Sequence, residues 1–168
     1  MKTNRPKIDI PLEPLDVIID ITSIMIYTLM IIYTVISYSD LADTIPTHFN
    51  ASGEADGFGD KAAIWILPVI GIVTYSSLFV LNKYPHAHNY MVNITEDNAF
   101  KNYRLSTRLV RFTNLFLAII FAFIHYVSIE KGKGNAIELG SWFTPIIIGI
   151  SIISPLFIIV YQQKINKS

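Results

Sequence analysis

The sequence contains no cysteine and few charged residues. The lack of cysteine among 168 residues excludes disulfides, thiol catalysis and cysteine-ligated zinc or iron–sulfur centres. Charged residues make up 15% of the chain, whereas a soluble domain has about 25%. Because the net charge is zero and no basic stripe is present, nucleic acid is not an expected partner.

Catalytic sequence motifs are also missing. The chain has no Gly-x-Ser-x-Gly, no His-Glu-x-x-His and no phosphate-binding loop. Oxygen-bearing side chains alternate from Asn50 onward, as in a calcium loop, but the sixth position is Ala55 and the twelfth is Lys61. Calcium loops of this type need glycine and glutamate there. Whether the protein is an enzyme therefore stays open, with a non-enzymatic role favoured.

The apolar residues come in long blocks, which lie at about 17–39, 62–81, 112–129 and 142–161. A membrane-spanning helix needs about 20 predominantly apolar residues. A soluble four-helix bundle would instead carry a polar stripe on each helix. We therefore predict an all-α, polytopic membrane protein with four transmembrane helices. Residues 17–161 form its single membrane domain, between tails at 1–16 and 162–168.

The positive charges predict the orientation of these spans. Ten of the 13 Lys and Arg residues fall in the two tails and the second connection. The positive-inside rule then places both termini in the cytoplasm and the loop 40–61 outside, in a bacterial cytoplasmic membrane. Asp20 lies near one end of the first block, where an unpaired acid at the water boundary is the simplest interpretation.

The second connection carries a helix start and a basic face. Thr95 followed by Glu96 and Asp97 predicts an N-cap, with residues 98–111 as a polar extension of the third span. Four cations repeat at roughly helical spacing in this extension, namely Lys101, Arg104, Arg108 and Arg111. We expect them to anchor the protein on the lipid bilayer. The alternative is a docking surface for a cytoplasmic regulator.

The loop 40–61 differs from the rest of the chain because it combines glycines, a proline, a histidine and acids. Gly53, Gly57 and Gly59 permit either tight turns or the close approach of another chain segment, because glycine tolerates positive φ angles, so we expect an ordered loop. His48, Asp56 and His125 are a candidate site for a divalent metal, since His125 falls near the same end of its span. Glu54 and Asp60 are further acidic candidates. The alternative is that His48 and Asp56 only hydrogen-bond within the loop.

One stretch of the loop resembles a known family. The residues Ile45, Pro46, Thr47, His48, Phe49, Asn50, Gly53, Asp56, Gly57, Gly59 and Lys61 are similar to a motif of an uncharacterised bacterial membrane domain. That domain also forms the N-terminal part of SdpI-type immunity proteins. The stretch 90–98 with Tyr103 and Arg104 resembles its second motif. The resemblance implies a role in immunity to a secreted toxin, coupled to sequestration of a transcriptional repressor at the membrane.

We expect a binding protein whose outward loop recognises an extracytoplasmic ligand such as a peptide toxin. The expected recognition residues are His48, Asn50, Asp56 and Lys61, with Gly53, Gly57 and Gly59 shaping the loop. A metal-dependent membrane enzyme using His48, Asp56 and His125 is the second hypothesis. A structural subunit of a membrane complex is the third.

Overall fold

The computed structural model describes residues 5–167, which form four long helices and one β-hairpin. The helices are α1 (Pro14–Ser37), α2 (Ile66–Leu81), α3 (Glu96–Gly132) and α4 (Phe143–Ile165). Strand β1 (Thr44–Phe49) pairs antiparallel with β2 (Ala55–Asp60). Short 3-10 helices occupy Tyr38–Asp40, Lys61–Trp65 and Pro85–Ala87. The protein is thus mostly helical, but the prediction of an all-α fold is wrong for the loop 40–61, which contains the hairpin.

Each of the four helices in the described residues is long and apolar enough to cross a membrane. The four predicted blocks are confirmed as helical, although their bounds differ. The third block is the second half of one continuous 37-residue helix, α3. This helix begins after Thr95, whose backbone N–H donates to the Asn98 side chain at 2.9 Å, so the predicted helix start is confirmed.

Helices α1, α2 and α3 pack together as a three-helix bundle. At its centre, Tyr27 and Met30 of α1 contact Ala118 of α3, with Leu67 of α2 packed against them. Small residues permit close approach there, because a Cβ added at Gly71 would overlap the Tyr27 ring. The bundle therefore has a tight core that fixes the three helices relative to one another.

Helix α4 stands apart from this bundle and is attached mainly near its ends. No residue of its 18-residue apolar window is buried within the chain. At its start, the rings of Trp142 and Phe143 lie 5.6 and 5.5 Å from the Phe123 ring, centroid to centroid. Near its other end, Gln162 donates to the buried Asn102 side chain at 3.2 Å. The middle of α4 is left free to contact lipid.

The two ends of the bundle have different covers. We call the end that carries β1 and β2 the hairpin end, and the other the strap end. The strap is the non-helical segment 5–13, where Arg5 donates to the His88 carbonyl at 2.6 Å. Tyr103 donates to the Pro6 carbonyl at 2.9 Å, and Ile8 and Ile10 pack beside it. The predicted tail 1–16 is therefore packed from residue 5 onward, and its first four residues lie outside the described range.

The close contact at Gly71 predicts that substitution by alanine destabilises the protein at this position and not at Gly149 on α4. Gly71→Ala should lower the free energy of unfolding in detergent by about 1–3 kcal/mol, because the added methyl overpacks against Tyr27. Gly149→Ala on α4 is the matched control, since a Cβ there meets nothing within 4 Å. Thermal unfolding followed by circular dichroism measures both. Equal shifts in the two variants would contradict the packing described here.

Candidate functional site

The inner face of the hairpin is anchored to the helices by apolar packing. Ile45 is buried in a cluster with Leu41, Ile64 and Ile129. The backbone N–H of Ala42 donates to the carbonyl of Gly132 at the end of α3, at 3.0 Å. The hairpin is consequently held as a rigid cap on α3.

The turn between the strands is built around Asn50. Its side-chain oxygen accepts from the backbone N–H groups of Ser52 and Glu54 at 2.9 and 3.0 Å. Its amide donates to the Glu54 carboxylate at 3.1 Å. Side-chain bonds of this kind fix a turn locally. Asn50 was predicted as a recognition residue, but these bonds give its side chain a structural use.

The three loop glycines act in different ways. Gly53 has φ +80°, and a Cβ there would lie 2.6 Å from the Gly140 backbone. Gly57 and Gly59 do not have positive φ, so of the two predicted roles these positions show close approach rather than tight turning. Their small size matters instead, because an added Cβ at Gly57 would lie 2.8 Å from the His48 Cβ across the hairpin.

The exposed edge of the hairpin presents a histidine–carboxylate pair. His48 Nδ1 lies 2.5 Å from Asp56 Oδ1, and the two side chains are 70% and 46% exposed. The predicted bond within the loop is therefore present. Lys61 pairs with Asp43 at 3.1 Å and lies 5.8 Å above the Tyr38 ring. The hairpin thus offers a polar, mixed-charge surface with fixed geometry.

A cavity of about 340 Å³ lies beneath the hairpin. Its walls come from the hairpin, the start of α2, the last turns of α3 and the start of α4. His48 and His125 both line it, together with apolar residues such as Leu67 and Phe143. The sequence prediction that these two histidines share one end of the bundle agrees with this arrangement.

His125 is almost fully buried, at 1% exposure. Its Nε2 lies 2.7 Å from the Thr34 hydroxyl oxygen, and that hydroxyl donates to the Met30 carbonyl at 2.8 Å. Since the one hydroxyl hydrogen is used there, Nε2 carries the proton and donates to Thr34. His125 Nδ1 has no hydrogen-bond partner within residues 5–167.

The geometry does not fit the metal site expected from His48, Asp56 and His125. Residues 5–167 contain no group of three or more His, Cys, Asp or Glu side chains placed to hold a metal ion. His48 uses Nδ1 on Asp56, and His125 uses Nε2 on Thr34. His48 and Asp56 are paired with each other, but His125 is bonded to Thr34 instead, so the three side chains are not gathered around one point.

At the strap end, the predicted basic face points toward α1. Arg104 pairs with Glu13 at 2.6 Å, and Arg111 pairs with Asp20 at 3.0 Å. Arg108 lies between them and pairs both with Glu13 and with Asp16, the latter at 3.1 Å. The expectation that Asp20 is unpaired is therefore wrong. Lys101 donates to the Ile165 carbonyl at 2.6 Å. Less free charge remains for a lipid or a regulator than the sequence suggested.

Sequence reasoning missed these ion pairs, although a signal existed. Acids at 13, 16 and 20 recur with steps of three and four residues at the start of α1, and cations at 104, 108 and 111 recur with steps of four and three residues on α3. Residues three and four apart share a helix face. Two parallel helices with such complementary spacing can form a ladder of pairs, and α1 and α3 both run from the strap end to the hairpin end.

In the connection between α2 and α3, the side chains of His88 and Tyr90 have a structural role. His88 donates from Nε2 to the Leu81 carbonyl at 3.1 Å and lies 2.6 Å from the Ser106 hydroxyl. Burial lowers the pKa of His88 below its ordinary value. Burial likewise raises the pKa of Tyr90 to about 12. Both groups are therefore uncharged at neutral pH, and they fix the connection against α3.

The four membrane-length helices in the described residues indicate a multi-pass membrane protein. Residues 25–72, which include the hairpin, match the family described as Domain of unknown function (DUF1648). The chain is also similar to an uncharacterized protein of Archaeoglobus fulgidus, with 38% identity over 69 residues. That match covers 36% of this chain and 38% of the relative. No solved structure matches the chain.

The Arg111–Asp20 pair predicts strong coupling between two positions 91 residues apart. Their side chains are only 10% and 16% exposed, so Arg111→Gln should cost about 3–5 kcal/mol of stability by leaving a buried charge unpaired. The double variant Arg111→Gln with Asp20→Asn should recover much of that loss. Unfolding in detergent measures the cycle, and simple additivity of the two single effects would rule out the pairing.

Proposed function

We propose that this protein is a ligand-binding protein of the bacterial cytoplasmic membrane, with the hairpin outside and both termini in the cytoplasm. The hairpin edge would recognise an extracytoplasmic ligand, such as a peptide toxin, in an immunity role of the SdpI type. The observation that carries the proposal is the exposed His48–Asp56 pair on a rigid, anchored hairpin. A pair that only stabilised the fold would be expected to be better buried.

The shape of the hairpin supports recognition rather than a flexible linker role. Its turn is fixed by Asn50, and its inner face is anchored through Ile45. Binding to such a preorganised surface loses less conformational entropy than binding to a mobile loop. Residues 25–72, which match the family, include this hairpin. The anchored hairpin therefore lies within the part of the chain that matches the family.

The orientation in this proposal rests on charge. The strap end carries the cation-rich part of α3, and the positive-inside rule places it in the cytoplasm. The hairpin end has exposed carboxylates at Asp43, Glu54 and Asp56. An acidic outer surface would attract a cationic ligand by long-range electrostatics.

Loss of the His48–Asp56 pair should abolish binding without unfolding the protein. His48→Ala and Asp56→Ala should each remove protection of a sensitive strain against the toxin that the wild-type protein resists, while membrane protein levels persist. Thr47→Ala is the matched control, because Thr47 is an exposed neighbour on β1. Toxin survival that is unchanged in both variants would overturn the proposal.

A metal-dependent membrane enzyme is the second candidate function, because His48 and His125 line one cavity. Since His48, Asp56 and His125 are not placed to hold a metal ion as they stand, metal binding would require these side chains to move together. In that case the purified protein would contain a stoichiometric divalent metal that His48→Ala removes. Mass spectrometry of the metal content measures this directly. Preparations that stay free of metal after incubation with zinc and dialysis would exclude this function.

A further inference from the structure

We infer that the groove between α3 and α4 at the strap end binds one anionic phospholipid. Its phosphate lies at Lys101, Arg104 and Arg108, and one acyl chain follows the apolar part of the groove. This site is at the opposite end of the bundle from the hairpin, so the inference does not rest on recognition of a ligand by the hairpin edge.

The groove runs along the first half of α3, where the last turns of α4 pass beside it. Its volume is about 430 Å³, which lies within the range of small-ligand pockets. Two hydrogen bonds hold its walls together: Lys101 donates to the Ile165 carbonyl at 2.6 Å, and Gln162 donates to the Asn102 side chain at 3.2 Å. The groove is therefore preformed, and a ligand need not separate the two helices to enter it.

The lining of the groove changes from charged to apolar along the helix axis. All of its cationic side chains belong to residues 101–108 of α3, and Leu109 and Phe112 continue the wall toward the middle of the bundle. Phe157 and Ile158 of α4 line the same part. Since a helix rises 1.5 Å per residue, Lys101 and Phe112 are about 16 Å apart along α3. A phospholipid has the same order, with a charged phosphate followed by an apolar chain.

The charge of the groove selects an anion. Three cations line it, and no acidic residue of the described chain does. Arg104 and Arg108 are partly balanced from the side of α1, by Glu13 and Asp16. Within residues 5–167, Lys101 has no carboxylate partner, and its bond to a carbonyl of α4 uses one of its three donors. A phosphate therefore complements the charge that the ion pairs leave over.

The apolar part of the groove opens sideways, toward the hydrocarbon of the bilayer. Phe112 is 45% exposed and Phe157 is 68% exposed, and no residue in the apolar window of α4 is buried. A lipid can thus enter from its own leaflet with its head group at the membrane surface. A ligand without an apolar chain would leave this part of the groove unfilled.

Binding of two matched lipids tests the site. The purified full-length protein in detergent is stripped of lipid and titrated with dioleoylphosphatidylglycerol or dioleoylphosphatidylcholine, and native mass spectrometry counts the lipids bound. The two lipids share the acyl chains and the phosphate, and only the first has a net negative charge. We expect phosphatidylglycerol to occupy the first site about 3- to 10-fold more tightly, since each basic residue near an anionic lipid contributes roughly a factor of five.

Two variants separate the charge from the volume. Lys101→Gln removes the charge but keeps a donor for the Ile165 carbonyl, so the preference for phosphatidylglycerol should fall to less than about 2-fold. Lys83→Gln is the matched control, because it removes the same charge at the strap end but outside the groove. Leu109→Trp fills the groove from a lining position and should weaken the first binding event for both lipids. Val160→Trp, at an exposed position of α4 outside the groove, should bind as the wild type does.

The inference is overturned if the two lipids bind the wild-type protein equally, or if Lys101→Gln and Lys83→Gln change the preference by the same factor. It is also overturned if Leu109→Trp binds both lipids as the wild type does. That variant retains Lys101 and its bond to α4, so it tests the groove even if Lys101→Gln fails to fold. A lipid-free dimer that binds neither lipid would show that a second copy of the chain fills the groove instead.

Discussion

The contact between α1 and α3 is the interaction on which the rest of the structure depends. At the strap end it is an ion-pair ladder, represented by Arg111 and Asp20. At the hairpin end it is the hydrogen bond between His125 and Thr34. Polar groups inside a bilayer must find partners within the protein, so these bonds fix both the rotation and the axial register of the two helices. A slip by one residue would break both sets together.

This register of α1 against α3 positions the hairpin at one end of the bundle and the strap at the other. The hairpin follows α1 directly and rests on the last turns of α3 through Ile45 and Ile129. The strap precedes α1 and rests on the first turns of α3 through Tyr103. Helix α4 lies outside this arrangement and contacts the bundle mainly near its ends, through Phe123 and Asn102. The start of α4 lies close to α3 at the hairpin end but leaves a gap toward the start of α2, and this gap is the cavity beneath the hairpin.

The sequence predicted the helices well because hydrophobic length and capping are local properties. The start of α3 after Thr95 and the ordered loop follow from nearby residues. The hairpin was missed because Pro46 and the glycines at 57 and 59 disfavour strands. The Arg111–Asp20 pair, the strap contacts and the protonation of His125 depend on which helix faces meet. Which helix faces meet is a property of the tertiary structure. The position of Asp20 near one end of α1 was therefore predicted correctly, but its partner Arg111 was not.

In the proposed topology, the hairpin lies on the opposite side of the membrane from the strap. The absence of cysteine allows a direct measurement with single cysteines, at the exposed positions Ser52→Cys on the hairpin turn and Asn93→Cys near the strap. In intact cells, a membrane-impermeant maleimide should label the Ser52→Cys protein at once and the Asn93→Cys protein only after permeabilisation. Labelling of both proteins, or of the Asn93→Cys protein alone, in intact cells would contradict this topology.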